Sequence, residues 1–418
     1  MQRGSLRWLW IIFLAGIALG FSQALPARAG AETQIENPRV DYVFGSQITF
    51  RADLKPVQTV AEARFYFLRP EDDDKANVVP ATIDEQGVLS YEYDSMRFPL
   101  RAFSRLVYWF EVVENDGTLV TGNKWEFAYE DNRFAWQDLQ AGPFIVHWYD
   151  GDTAYAQELL DVAQKGLLQA QIWLPAATSP DEVNIYAYAS AEEMRSTMQL
   201  AWTNWIAGHA DLDLNLIRVT LPPGPEQRTE MERQIPHELM HILLYQAVGA
   251  DYAKLPAWLK EGLASVNEIY PNPYYHTILS QAVARDGLLS FSDICQNFPV
   301  DASGAYLAYA QAASFTRYLF DQYGAEGMET LVAMYTLNPD LDCQDGTSYS
   351  LGTPLGQLEH NWRQTILGEK SAAGSTGSPW PWVTVLGVVL VVPLFILMVS
   401  GSRRARRMQT TANPRRSA

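Results

Sequence analysis

The chain is poor in the side chains that most often carry chemistry. Its 418 residues include only 2 cysteines and 6 histidines. Cys295 and Cys343 are too few for a disulfide scaffold, and neither has the spacing of a metal-binding pair. Basic residues are also short, 31 against 48 acidic ones, for a net charge of −17. An acidic surface of that size disfavours nucleic acid and anionic lipid as partners. No Asn-x-Ser/Thr sequon occurs, so the chain offers no N-glycosylation acceptor. Internal repeats are absent.

Long apolar runs are confined to the two ends. After Arg3 and Arg7, an apolar stretch from Trp8 to about Leu19 leads to Ala27-Arg28-Ala29. That pattern predicts a signal peptide over residues 1–29, with an uncleaved N-terminal anchor as the alternative. Trp382 to Ser400 is uncharged and is followed by Arg403, Arg404, Arg406 and Arg407. Its length and basic border predict a transmembrane helix over 380–400, with 401–418 as a cytoplasmic tail. Residues 370–379, rich in Gly and Ser, read as a flexible linker. The expected location is the cell membrane, single-pass type I, with the catalytic mass extracytoplasmic. In an exported chain Cys295 and Cys343 are most simply one disulfide, two buried thiols being the alternative.

Scarce histidine gives weight to one segment, His237-Glu238-Leu239-Met240-His241. With 6 His and 24 Glu in 418 residues, such a pattern arises by chance in about one chain in two hundred. On a helix, residues four apart share a face, so His237 and His241 can grip one zinc ion while Glu238 reaches its water. A catalytic zinc takes three protein ligands and keeps one position open. With nineteen residues between it and His241 stands Glu261, in Trp258-Leu-Lys-Glu-Gly-Leu-Ala264.

Together these motifs resemble the gluzincin metallopeptidases, with spacing close to the aminopeptidase N-like branch and the small peptidase MA-like domains. The resemblance covers roughly residues 140–368. It implies one Zn2+ held by His237, His241 and Glu261, with Glu238 as general base. It also implies a partner role for Glu268, seven residues after Glu261, with an exposed acid as the alternative. Tyr309 precedes Tyr318-Leu319 as the family's oxyanion-stabilising tyrosine precedes its Tyr-Leu pair. Tyr306, one turn away, and ordinary packing compete for that assignment. Family substrates pair with an edge strand, near which His209 falls; His147, His276 and His360 read as packing or surface residues. One departure matters. The aminopeptidases' Gly-x-Met-Glu-Asn segment, whose glutamate anchors a free N-terminus, is replaced here by Ala207-Gly-His-Ala-Asp211. Endopeptidase action on a peptide or protein substrate is therefore expected.

Residues 33–135 alternate as short strands, for example Gln47–Asp53, Ala63–Leu68 and Leu89–Tyr93, with an Asn115-Asp-Gly-Thr118 turn. They predict a β-sandwich that looks like an immunoglobulin or fibronectin module. From residue 140 to 368 strands come first and helices after, the α+β signature. The expected class is α+β: an N-terminal β-sandwich, a zincin-type catalytic domain with a small sheet and helices, then one transmembrane helix. Pro236, directly before His237, leaves open whether Glu226–Gln234 is a separate helix or a kinked lead-in. A cell-surface binding protein with an idle zinc domain is the rival reading, and the intact Glu238 weighs against it.

Overall fold

The structure is a computed structural model that describes residues 32–69, 75–176, 180, 182–198, 208–338 and 341–368. The expected signal peptide (1–29), linker (370–379), transmembrane helix (380–400) and tail (401–418) lie outside the described residues. The described residues fall into two compact units, one drawn from residues 32–137 and 188–198, the other from 138–187 and 208–368.

Among the described residues the first unit holds nine strands: β1 (Gln34–Tyr42), β2 (Ile48–Lys55), β3 (Val60–Leu68), β4 (Asn77–Pro80), β5 (Thr82–Ile83), β6 (Val88–Tyr93), β7 (Arg105–Glu114), β8 (Leu119–Thr121) and β9 (Trp125–Ala128). They form two sheets, β1-β2-β6-β5 and β4-β3-β7-β8, with β9 also paired to β7. Alternation is clean in β2, where Ile48, Phe50, Ala52 and Leu54 are buried and the residues between them are not. The buried rows meet in an aromatic core, with Phe50 ring centroids 4.9 Å from Phe65 and 4.8 Å from Tyr108.

The second unit carries strands β10 (Gln137–Ala141), β11 (Phe144–Trp148), β12 (Val183–Tyr188), β13 (Gly208–Asp211) and β14 (Leu216–Thr220). Their order is β10-β11-β12-β14-β13, which leaves β13 at an edge, antiparallel to β14. The helices are α1 (Thr153–Trp173), α2 (Ala191–Arg195, assigned to the first unit), α3 (Gln227–Val248), α4 (Ala257–Asn267), α5 (Tyr275–Ala284), α6 (Ala302–Leu337), α7 (Asp345–Leu351) and α8 (Leu355–Thr365). Helix α1 starts where Asp152 accepts the Tyr155 N–H at 2.9 Å. It buries one face, Tyr155, Ala156, Leu159, Leu160, Ala163 and Ala170, in the core shared with α3, α4 and α6. Helix α6 is two helices that meet at a kink at Gly324, whose backbone (φ 65, ψ −173) is not helical.

The expected fold class needs correction. The described residues make a mixed α+β protein with N-terminal β-sheets and a helical domain, and none of their helices is long and apolar enough to cross a membrane. Helix α6 has the length, 36 residues, but carries Arg317, Asp321, Glu326 and Glu329 and breaks at Gly324. The transmembrane helix expected over 380–400 lies outside these residues, so the fold class of the described residues is stated without it.

Candidate metal centre and its cleft

Helix α3 runs without interruption through Pro236. Proline has no N–H, so the Glu232 carbonyl four residues earlier loses its helical donor. Two backbone groups from beyond α4 take that place, Ile269 N–H at 2.9 Å and Tyr270 N–H at 3.3 Å. The buried Asn267 amide adds a bond to the Pro236 carbonyl at 2.7 Å and one to Gly166 O on α1 at 3.3 Å. Gly166 lets α1 come close at this point, because a β-carbon there would lie 3.0 Å from the Pro236 ring. The proline is therefore housed inside the helix by its neighbours, and neither a separate helix nor a kinked lead-in precedes the motif.

The unbroken helix sets His237 and His241 on one face, ring centroids 5.1 Å apart. Helix α4 delivers Glu261 to the same point: its Oε2 is 3.5 Å from Nε2 of both His237 and His241. All three ligand atoms lie within 4.8 Å of one another. Zinc bonds of about 2.0–2.2 Å in a tetrahedron separate neighbouring ligand atoms by about 3.4 Å. The donor set and its spacing fit a metal ion. Burial would raise the Glu261 carboxyl, but the imidazoles of His241 and His237 outweigh it and hold the group well below the usual carboxylate range. Burial would likewise lower His237, and Glu261 and Glu268 reverse that, raising it well above its ordinary value.

Each imidazole has a second partner on Nδ1. Glu268 Oε1 stands 3.1 Å from His237 Nδ1, and the Tyr252 hydroxyl stands 2.9 Å from His241 Nδ1. Glu268 is buried but not helical, since α4 ends at Asn267 and Glu268 has φ −58, ψ 127. Its backbone carbonyl is held by Gln169 of α1 at 3.2 Å. The disulfide Cys295–Cys343 joins residues 48 apart in sequence, with Cα atoms 6.1 Å apart. It reaches the site indirectly, because Cys295 O accepts the Ala257 N–H that opens α4, at 2.7 Å.

These groups open into a cleft of about 580 Å³. One wall is the edge strand β13, with Gly208, His209 and Ala210 lining it. Glu238 lies against that strand so closely that a β-carbon on Gly208 would be 2.7 Å from its Oε1. The other side is tyrosine-rich: Tyr309 and Tyr306 from α6, Tyr275 from α5, and Tyr252. Burial, then the charges of Glu261 and Glu238, push the Tyr309 phenol well above its ordinary pKa, and its side chain hydrogen-bonds Glu261. Tyr306 is nearly half exposed at the rim. Lys260 lies 5.0 Å over the Tyr252 ring and is lowered by burial.

The structure brings His237, Glu238, His241, Glu261, Glu268 and Tyr309 to one cleft, and His209 with them. It leaves His147, held by Asp138 and Asn184, and His360, beside Gln364, outside its lining. His276 lines a different pocket. Sequence reasoning missed Tyr252, Tyr275, Lys260 and Asn267. Only Lys260, adjacent to Glu261, had any signal to find it by.

Residues 162–368 match the model of the Peptidase MA superfamily. No curated protein matches the chain. Among solved structures, wild-type OgpA from Akkermansia muciniphila is 18% identical over 23% of this chain and 27% of that one, with a TM-score of 0.20. The putative polysaccharide deacetylase BA0330 from Bacillus anthracis is 12% identical over 39% of this chain and 54% of its own, also at 0.20. BhCBM56 is 11% identical over 23% of this chain and 98% of its own, at 0.18. At such TM-scores none of these likenesses bears on the fold or activity of this chain.

Proposed function

We propose that this chain is a zinc-dependent metallopeptidase of gluzincin type that cleaves within peptide chains. The convergence of His237, His241 and Glu261, with Glu238 between that triad and an edge strand, is the observation that supports it. A zinc ion held by the three would supply Lewis acidity and an acidified water. Glu238 takes the proton of the attacking water and returns it to the leaving amine. The Tyr309 hydroxyl, kept protonated by its surroundings, donates to the oxyanion. Glu268 orients His237 through Nδ1. Strand β13, last in its sheet among the described residues, offers its free edge for an extended substrate to add as a further strand. Nothing at the Gly208–Asp211 strand replaces the glutamate that anchors a free N-terminus in aminopeptidases, which favours internal cleavage. The disulfide suits an oxidising, extracytoplasmic setting.

The test is turnover of a quenched-fluorescent peptide library by the purified chain and by Glu238→Gln. Wild-type cleavage that a chelator abolishes and zinc restores is expected, and Glu238→Gln should bind zinc yet cleave at least 10²-fold more slowly. Zinc binding with no turnover of any peptide would instead point to a binding protein with an idle centre.

A further inference from the structure

The two histidines are backed by different chemistry. Glu268, a carboxylate, faces His237 Nδ1 at 3.1 Å, whereas Tyr252, a phenol, faces His241 Nδ1 at 2.9 Å. An imidazole that gives one nitrogen to a metal keeps its proton on the other, and the partner of that proton sets the ring's aim. Nε2 is the His241 nitrogen turned toward Glu261, so Nδ1 is the one left to carry the proton. We propose that Tyr252 is a positioning residue of the metal centre, its phenol oxygen accepting the His241 Nδ1–H and so fixing the tautomer and direction of that ligand. This rests on the zinc reading given above.

Local structure supports the assignment. Helix α3 ends at Gly249, whose positive φ of 61 turns the chain back on itself. The short 3₁₀ turn that follows, Gly249–Lys254, returns Tyr252 to the helix it has just left, eleven residues after His241. The ring stands edge-on to His241, with centroids 6.3 Å apart at 85°, and edge-on to Tyr245 at 6.2 Å. Lys260 covers its face. Gripped on these sides, the hydroxyl has little freedom to leave the imidazole.

The experiment compares the full chain with Tyr252→Phe, measuring zinc affinity by chelator competition and the imidazole ¹⁵N–¹H signals of the zinc-loaded protein. Loss of the oxygen should weaken zinc binding about 10- to 100-fold. The His241 Nδ1–H signal should be sharp in wild type and broadened or lost in the variant, while the zinc-free proteins melt within about 4 °C of each other. Equal zinc affinity in the two proteins would overturn the role of Tyr252. Should Tyr252→Phe fail to fold, the wild-type spectrum still decides: a slowly exchanging Nδ1–H on His241 supports the proposal and a proton on Nε2 refutes it. Wild type that binds no zinc at all would sink the metal reading, and this proposal with it.

Discussion

Gly262 follows the ligand Glu261, and its lack of a side chain sets how close α4 comes to α6. A β-carbon there would lie 2.1 Å from Thr316 Oγ1 and 2.8 Å from the Ala312 carbonyl oxygen, where ordinary contact begins at 3.4 Å. The Thr316 hydroxyl has no hydrogen-bond partner among the described residues and can turn aside, but the Ala312 oxygen is helix backbone and cannot. Gly262→Ala therefore pushes the two helices apart by about half an ångström, an overpacking that costs about 1–3 kcal/mol. Against this, alanine is favoured over glycine within a helix by about 1 kcal/mol. The clash should win, for a net loss of up to about 2 kcal/mol and a melting temperature lower by up to about 8 °C in a unit of this size. The same displacement stretches the hydrogen bond from Tyr309 on α6 to Glu261 on α4, so turnover should fall more than stability does. Differential scanning calorimetry of the variant, of Thr316→Ala and of the double variant separates the terms. Removing the hydroxyl should recover part of the loss, as expected of residues in direct contact. A Gly262→Ala protein that melts at or above wild type would refute the packing argument.

Two other perturbations act elsewhere. Gly208→Ala puts a methyl 2.7 Å from Glu238 Oε1, a flexible group that can shift, so kcat should drop about tenfold or more with melting temperature and zinc content unchanged; a fully active variant would place the base elsewhere. Replacing Cys295 and Cys343 together by serine frees a loop of 48 residues, and chain entropy sets the loss at about 4 kcal/mol, read from denaturant unfolding with and without the bridge. An unchanged unfolding midpoint would mean that packing alone holds α4 to the following segment.

Much of the metal centre was legible because it obeys periodicity. A helix makes His237 and His241 neighbours regardless of the rest of the fold. The groups that complete the site follow no period. Strand β13 is four residues, Gly-His-Ala-Asp, too short and too polar to alternate visibly. Tyr252 lies on an irregular turn, where position depends on one glycine rather than on a repeat. Glu268 was expected on the helical face of Glu261, yet it reaches His237 from just past the helix end, a position that only tertiary bonds from Gln169 and Asn267 make possible.

An α-helix normally consumes its own carbonyls, and is for that reason a self-contained rod that can slide or rotate against its neighbours. Pro236 removes that independence at the residue before the first histidine. The vacated acceptor on Glu232 is filled by the chain leaving α4, so the segment that bears His237 and His241 and the segment that bears Glu268 share backbone hydrogen bonds as strands do. Sliding one past the other would strand a buried carbonyl, at about 1–3 kcal/mol for each bond left unmade. Whatever breathing the cleft needs to admit substrate and discharge product must then come from its other borders, the edge strand and the tyrosine-bearing helices, while this seam stays shut.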